Sequence, residues 1–283
     1  MNSYIQDYHI HTRFSCDSKA EMAAVCEAAI ARGMREIAIT EHADFGPDDP
    51  PGYFRPVEYL AEIEDCRARY GDRLTIRAGV EMGEPHIFAQ ELADILTVGE
   101  FDLVLGSAHY AASLTPSIAP AGAAELQCAW KPAFFAQPLR QAYEAYFLQT
   151  ARLAAGGDFD ILTHPDLVKR DARNFDKAYD GPEPYADLIR AALRSVVERG
   201  KGIEINTSAL YKGKGMSETC PSLEILRWYR ELGGEILTFG SDAHSPDKVG
   251  AHFDVALDMA RSVGFTRLAR FERRQVSFFD LGE

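Results

Sequence analysis

Glu36-Ile37-Ala38-Ile39-Thr40-Glu41-His42 is the stretch on which the fold turns. Apolar and β-branched residues run almost without a break over residues 36–40, the pattern of a strand buried on both faces, and the run ends on a histidine. The same arrangement returns along the chain. Phe159-Asp160-Ile161-Leu162-Thr163 leads to His164, Leu103-Val104-Leu105-Gly106-Ser107 to His109, and Leu237-Thr238-Phe239-Gly240-Ser241-Asp242 to His244. Further strands are predicted at 74–80, 102–106, 202–206 and 235–239, with a first one near Tyr4–Tyr8.

Helical patterns fill the intervals. Met22, Val25, Cys26, Ala29 and Ile30 make an apolar stripe that Gly33 ends, and Ser18 with Glu21 fits a capping box ahead of it. A second stripe runs through Leu188, Ile189, Ala192, Leu193, Val196 and Val197 to Gly200. A third helix is expected from Pro221 to Gly233-Gly234, and another over Leu139–Leu153. Regular strand–helix alternation predicts an α/β fold with a mostly parallel sheet, closed or doubly wound. Residues 111–138 break the rhythm with Ala and Pro, which points to a lid or substrate loop. No linker divides the chain, so residues 1–283 are expected to form a single domain.

Composition narrows the functional classes. The net charge of −13, from 43 acidic and 30 basic residues, disfavours a polyphosphate backbone, and no nucleic-acid partner is expected. The five cysteines include no CxxC pair, so reduced thiols are expected. Met1–Asp7 has no basic region leading into an apolar run, and no apolar stretch approaches the ~20 residues of a membrane span. A soluble cytoplasmic protein without a membrane partner is the expectation.

The chemistry lies in the histidines. Six of eight stand at or just beyond predicted strand ends: His9, His11, His42, His109, His164 and His244. Glu81 and Asp242 accompany them at strand ends of their own. Parallel strands of a barrel end at one face, so these side chains converge there. Imidazole and carboxylate are the usual ligands of Zn, Mn or Fe(II), and strand alternation puts His9 and His11 on one side. A lone strand-end histidine is more often a hydrogen-bonded structural residue, but six together with two carboxylates reverse that preference. His86 and His252 lack such settings and read as surface or helix-start residues.

As a set, His9-Ile10-His11, Thr40-Glu41-His42, Val80-Glu81, Gly106-Ser107-Ala108-His109, Thr163-His164-Pro165-Asp166 and Gly240-Ser241-Asp242-Ala243-His244 resemble the PHP (polymerase and histidinol phosphatase) superfamily. The stretches His42–Pro47, Ile203–Ser208 and Gly240–Pro246 look most like its monofunctional histidinol-phosphate phosphatases. The resemblance implies a distorted (β/α)7 barrel carrying three divalent ions, Zn, Fe or Mn. It implies that His9, His11, Glu81 and Asp242 hold the first, and that Glu81 bridges to a second on His109 and His164. His42, His244 and Asp17 would hold the third, Asp17 standing where some relatives have histidine. A hydroxide held among Glu81, His109, His164, His9, His11 and Asp242 would then attack phosphorus. Three ions bring about +6 against about −4 from Asp17, Glu81, Asp242 and the hydroxide, and the remaining charge of about +2 matches a phosphate monoester dianion.

The implied reaction is hydrolysis of a small phosphate monoester, L-histidinol phosphate first, in histidine biosynthesis. Expected substrate contacts are Lys169, Arg170, Asn206 and Lys212, with Lys214 nearby. Such phosphatases tend to carry an arginine after the Asn-Thr-Ser stretch, where this chain has lysines. Two other readings stay open: hydrolysis of nucleotides or phosphodiesters, and a PHP-like domain kept for binding alone.

Overall fold

The computed structural model of the protein describes residues 6–112 and 126–281. Seven parallel strands form the central sheet: β1 Gln6–Asp7, β2 Glu36–Ala43, β3 Thr75–Gly83, β4 Leu103–Ser107, β7 Ile161–Leu162, β8 Gly202–Asn206 and β9 Leu237–Gly240, in the order β1-β2-β3-β4-β7-β8-β9. The two ends of that sheet meet. The Tyr8 N–H donates to the Phe239 carbonyl at 2.9 Å and the His11 N–H to the Ala243 carbonyl at 2.8 Å, so the sheet is a nearly closed (β/α)7 barrel.

Successive strands of the sheet are joined through helices on the outside, as βαβ crossovers require. These are α1 Met22–Ala31, α2 Pro56–Tyr70, α3 Ala89–Thr97, α4 Leu139–Gly156, α5 Val168–Asn174, α6 Ala186–Glu198, α7 Ala209–Lys212, α8 Leu223–Glu231 and α9 Phe253–Ser262. Gly33 ends α1 at φ +75°, a backbone that residues with a Cβ rarely adopt. The capping box is not formed. Helix α1 begins at Met22 with Glu21 as its N-cap, and the Ser18 hydroxyl instead donates to the carbonyls of His11 and His244. Tertiary carbonyls at the barrel mouth outcompete the local cap.

The described residues of the expected loop at 111–138 carry secondary structure of their own. β5 Tyr110–Ala112 pairs antiparallel with β6 Leu126–Cys128, and a 3-10 turn covers Pro132–Ala136. Residues 113–125 of that loop lie outside the described residues.

The N-terminal end of the barrel is sealed by an antiparallel hairpin, β10 Arg267–Glu272 and β11 Gln275–Asp280, that the strand pattern does not announce. Tyr8, Ala38, Leu103, Leu105 and Ile161 pack inside the barrel against Ala269 and Phe271 of the hairpin. Its turn is Arg273-Arg274, both residues at positive φ. Asp102 accepts the backbone N–H of Arg273 at 3.1 Å, and the Arg274 guanidinium grips Asp158 and Asp160. Those ties hold a turn that ordinarily calls for Asn or Gly.

Candidate metal centre

Strand register assembles the site. His42 of β2 lies directly opposite Glu81 of β3, and both point into the C-terminal mouth of the barrel. His109 follows β4, His164 follows β7, and Asp242 with His244 follow β9. His164 and Asp242 both sit at positive φ, at +26° and +54°, a conformation uncommon for residues with a Cβ and concentrated at functional sites. Gly240 lies beside them. A Cβ there would collide with the Glu204 carboxylate and with His9, so only glycine permits that close approach.

Glu81 is the centre. It is fully buried, and its oxygens lie 3.2 Å from His9 Nε2, 3.5 Å from His11 Nε2, 2.9 Å from His42 Nδ1, 3.3 Å from His109 Nε2 and 2.9 Å from His164 Nε2. His11 Nε2 also lies 3.6 Å from Asp242 Oδ1. At the outer side Asp17 reaches His244 Nε2 at 2.9 Å and His42 Nε2 at 3.7 Å. All nine sequence-predicted ligands are therefore brought to one place. Four overlapping triads have ligand atoms within 4.8 Å of one another: His9–His11–Asp242, His9–Glu81–His164, His42–Glu81–His109 and His11–His42–His244.

The rings are aimed by partners behind them. His9 Nδ1 faces Glu204 at 3.0 Å, His11 Nδ1 faces the Ser15 hydroxyl at 3.0 Å, and His109 Nδ1 faces Asp44 at 2.8 Å. His244 Nδ1 donates to the Asp242 carbonyl at 2.9 Å. In each case the far nitrogen is turned toward the cluster, the arrangement that fixes tautomer and orientation in metal-ligating histidines. Glu204 also takes hydrogen bonds from the Thr163 hydroxyl, the His164 N–H and the Asn206 amide. Glu41 holds Ser15 at 2.5 Å and Thr12 at 2.5 Å.

Electrostatics fit a cation. Burial pushes the Glu81 carboxyl up, but the neighbouring His9, His42 and His109 overcome this and hold it well below the usual range. For Asp242 burial is likewise outweighed, by Lys212, His9, His244 and His11. His11 is driven well down, by burial first and then by His42 and His244. Burial pushes His9, His42 and His109 down as well, but the carboxylates of Glu204, Glu81 and Asp44 outweigh it and hold them well above the usual range, and these are the protons a bound cation would displace. His9 Nε2, His11 Nε2, His42 Nδ1, His164 Nδ1 and Glu81 Oε2 are buried with no hydrogen-bond partner among the described residues. Most of them face one another across Glu81 without forming hydrogen bonds, and buried polar atoms left so are costly unless something coordinates them.

Glu204, Asp44, Ser15 and Glu41 had no assigned role in the sequence. The signal for Glu204 is a carboxylate inside the apolar run Gly202-Ile203-Glu204-Ile205, where a charge needs a partner. Glu204→Gln is expected to weaken metal retention or kcat by roughly 10–100-fold. Titration of the purified variant with metal, read by activity, checks it; parent-like behaviour at limiting metal removes Glu204 from this role.

The expected substrate contacts divide. Arg170 Nη1 stands 3.5 Å from Asp242 Oδ2, and Lys212 Nζ 3.0 Å from Asp242 Oδ1 and 3.0 Å from His244 Nδ1. Both line a cavity of about 410 Å³ over the cluster. Lys169 does not. Its amine is buried 2.7 Å from Asp166 and 3.5 Å from Glu218, because successive residues of helix α5 point about 100° apart. Asn206 is fully buried as well, its amide on Glu204 and its carbonyl on Ser208. Lys214 pairs with Asp176 on the surface. His86 lies outside the cluster and His252 is the N-cap of α9. A larger cleft of about 800 Å³ beside α8 and α9 contains no histidine. No described helix is long and apolar enough to cross a membrane.

Comparison with known proteins agrees with this geometry. The PHP domain family profile matches residues 7–208. A probable histidinol-phosphatase of Clostridium acetobutylicum is 32% identical over 96% of this chain and 98% of its own length. The histidinol-phosphatase of Lactococcus lactis is 27% identical over 95% of each chain. Among solved structures, a histidinol phosphate phosphatase from Lactococcus lactis complexed with Zn, L-histidinol and phosphate superimposes with a TM-score of 0.82. It is 25% identical to this chain and covers 97% of it and 99% of its own length. The residues that converge on Glu81 thus sit in a chain that belongs to the PHP domain family.

Proposed function

We propose that the chain works as a single catalytic domain that hydrolyses L-histidinol phosphate to L-histidinol and inorganic phosphate. The observation that carries this reading is the convergence of five histidine nitrogens within 3.5 Å of buried Glu81, with Arg170 and Lys212 beside it at Asp242. His9, His11, Asp17, His42, Glu81, His109, His164, Asp242 and His244 are enough donors for three divalent ions, and Zn is the ion bound in the Lactococcus lactis structure.

When bound, such ions supply Lewis acidity and a hydroxide nucleophile at neutral pH. The chain's own residues do the rest. Arg170 and Lys212 add positive charge where a phosphate dianion settles, Arg170 offering a planar fork and Lys212 a point charge. Glu204, Ser15 and Asp44 keep the imidazoles from swinging. The cavity of about 410 Å³ suits a small metabolite.

The test is phosphate release by metal-loaded protein. Histidinol phosphate is expected to exceed p-nitrophenyl phosphate in kcat/KM by at least ~10-fold, about 1.4 kcal/mol of transition-state binding. Removing metal with a chelator is expected to abolish turnover, and adding back Zn, Mn or Fe(II) to restore it. Equal turnover of the two esters would defeat the substrate assignment, and full activity after chelation would defeat the metal mechanism.

A further inference from the structure

Outside the metal-facing residues, the cavity is lined by Arg170, Asp171 and Lys212, and by Asp48, Asp49, Trp130 and Lys131. Arg170 and Lys212 both converge on Asp242. Another wall is built on Tyr110, which is buried at the start of β5. Trp130 meets the Tyr110 ring edge-on at 5.4 Å and the His109 ring edge-on at 5.5 Å. Gly46 packs so closely on Tyr110 that a Cβ there would strike the ring. The Gly46 N–H in turn donates to Asp49 Oδ2 at 2.8 Å. Trp130 and Asp49 are therefore fixed on one base, and both line the cavity.

Two features of this wall are not fully used by the packing. Trp130 is one of few large apolar side chains left exposed, at 36%, although it stands beside a buried cluster. Asp48 is neutralised by Lys131 at 2.9 Å, but no basic side chain among the described residues lies within ion-pair distance of Asp49. A partly exposed indole and a carboxylate without an ion pair, both on the cavity wall, suit a planar ring that carries N–H groups and positive charge. Phosphate has no use for either.

We propose that Trp130 and Asp49 form the subsite for the imidazole of the substrate. The indole stacks on the ring and the Asp49 carboxylate accepts a ring N–H. The proposal rests on the histidinol-phosphatase reading and gives it the contact that distinguishes this substrate from other phosphate monoesters.

The test compares histidinol phosphate with alaninol phosphate, which keeps the amino-alcohol phosphate and lacks the ring. The parent enzyme, Trp130→Ala, Trp130→Phe, Asp49→Asn and Asp49→Ala are assayed with both, and metal content and melting are measured for each. The ratio of the two kcat/KM values is expected to fall at least ~10-fold in Trp130→Ala and in Asp49→Ala, mainly through KM for histidinol phosphate. Trp130→Phe keeps an aromatic face and is expected to retain more of the ratio than the alanine variant. An unchanged ratio in the alanine variants overturns the assignment. So does an equal loss on both substrates, which would mean that these side chains only prop His109 and the loop before it. A parent enzyme that does not prefer histidinol phosphate overturns the functional reading itself, a result separate from either of those.

Discussion

Glu81→Gln is expected to lower kcat by at least ~1,000-fold, about 4 kcal/mol of barrier. The substitution keeps the volume and one acceptor oxygen, removes the charge and turns the other oxygen into a donor, so packing cannot be blamed for the loss. That charge is fully buried, and five imidazole nitrogens face it within 3.5 Å. An amide cannot bridge two cations as a carboxylate does, and its NH₂ would point a donor at nitrogens that need to bind metal. Activity and bound metal should fall together, with elemental analysis showing less than the parent's complement. A Gln variant with parent-like kcat would remove Glu81 from the centre of the mechanism, whatever its metal content.

Asp17→Asn is expected to cost at least ~100-fold in kcat, about 2.7 kcal/mol, with little change in melting. A carboxylate near a helix start could have been merely a favourable charge at the N-terminus, worth about 0.3–1 kcal/mol of stability. That alternative loses its basis here, because α1 starts at Met22 and Asp17 instead reaches toward His244 and His42. Asp17→His, which can still coordinate, is expected to retain more activity than Asn. If Asn matches the parent under limiting metal, the proposed third ion needs another ligand than Asp17.

The barrel and the convergence of these histidines and carboxylates are legible because both rest on strong constraints. A strand buried on two faces has few polar positions, so His42 after Ile37-Ala38-Ile39-Thr40 or His164 after Ile161-Leu162 stands out against its run. Parallel strands then force such residues to one face. What stayed hidden depends on contacts between distant segments. Ser18 and Glu21 have the right spacing for a cap, yet Ser18 finds better acceptors in His11 and His244. Lys169 and Arg170 are neighbours in sequence, and only the phase of α5 decides that Arg170 enters the cavity while Lys169 is sealed against Asp166. Asp44 and Glu204 stand inside the motifs, but their role behind His109 and His9 is a matter of rings meeting across the barrel. The hairpin of β10 and β11 has no Asn-Gly at its turn. Its Arg273-Arg274 bend is stabilised by Asp102, Asp158 and Asp160, more than a hundred residues away.

That hairpin also governs traffic. With Ala269 and Phe271 packed against Tyr8, Leu103 and Leu105, the barrel is corked at one end, and whatever reaches the cluster uses the opposite doorway both ways. In the proposed reaction the phosphoryl group travels in first and settles deepest, with the rest of the molecule behind it. After cleavage the queue reverses: the alcohol, standing nearer the exit, has to clear before phosphate can follow. In that proposed reaction, the closed floor of the barrel would set an order of departure for two products that share no bond.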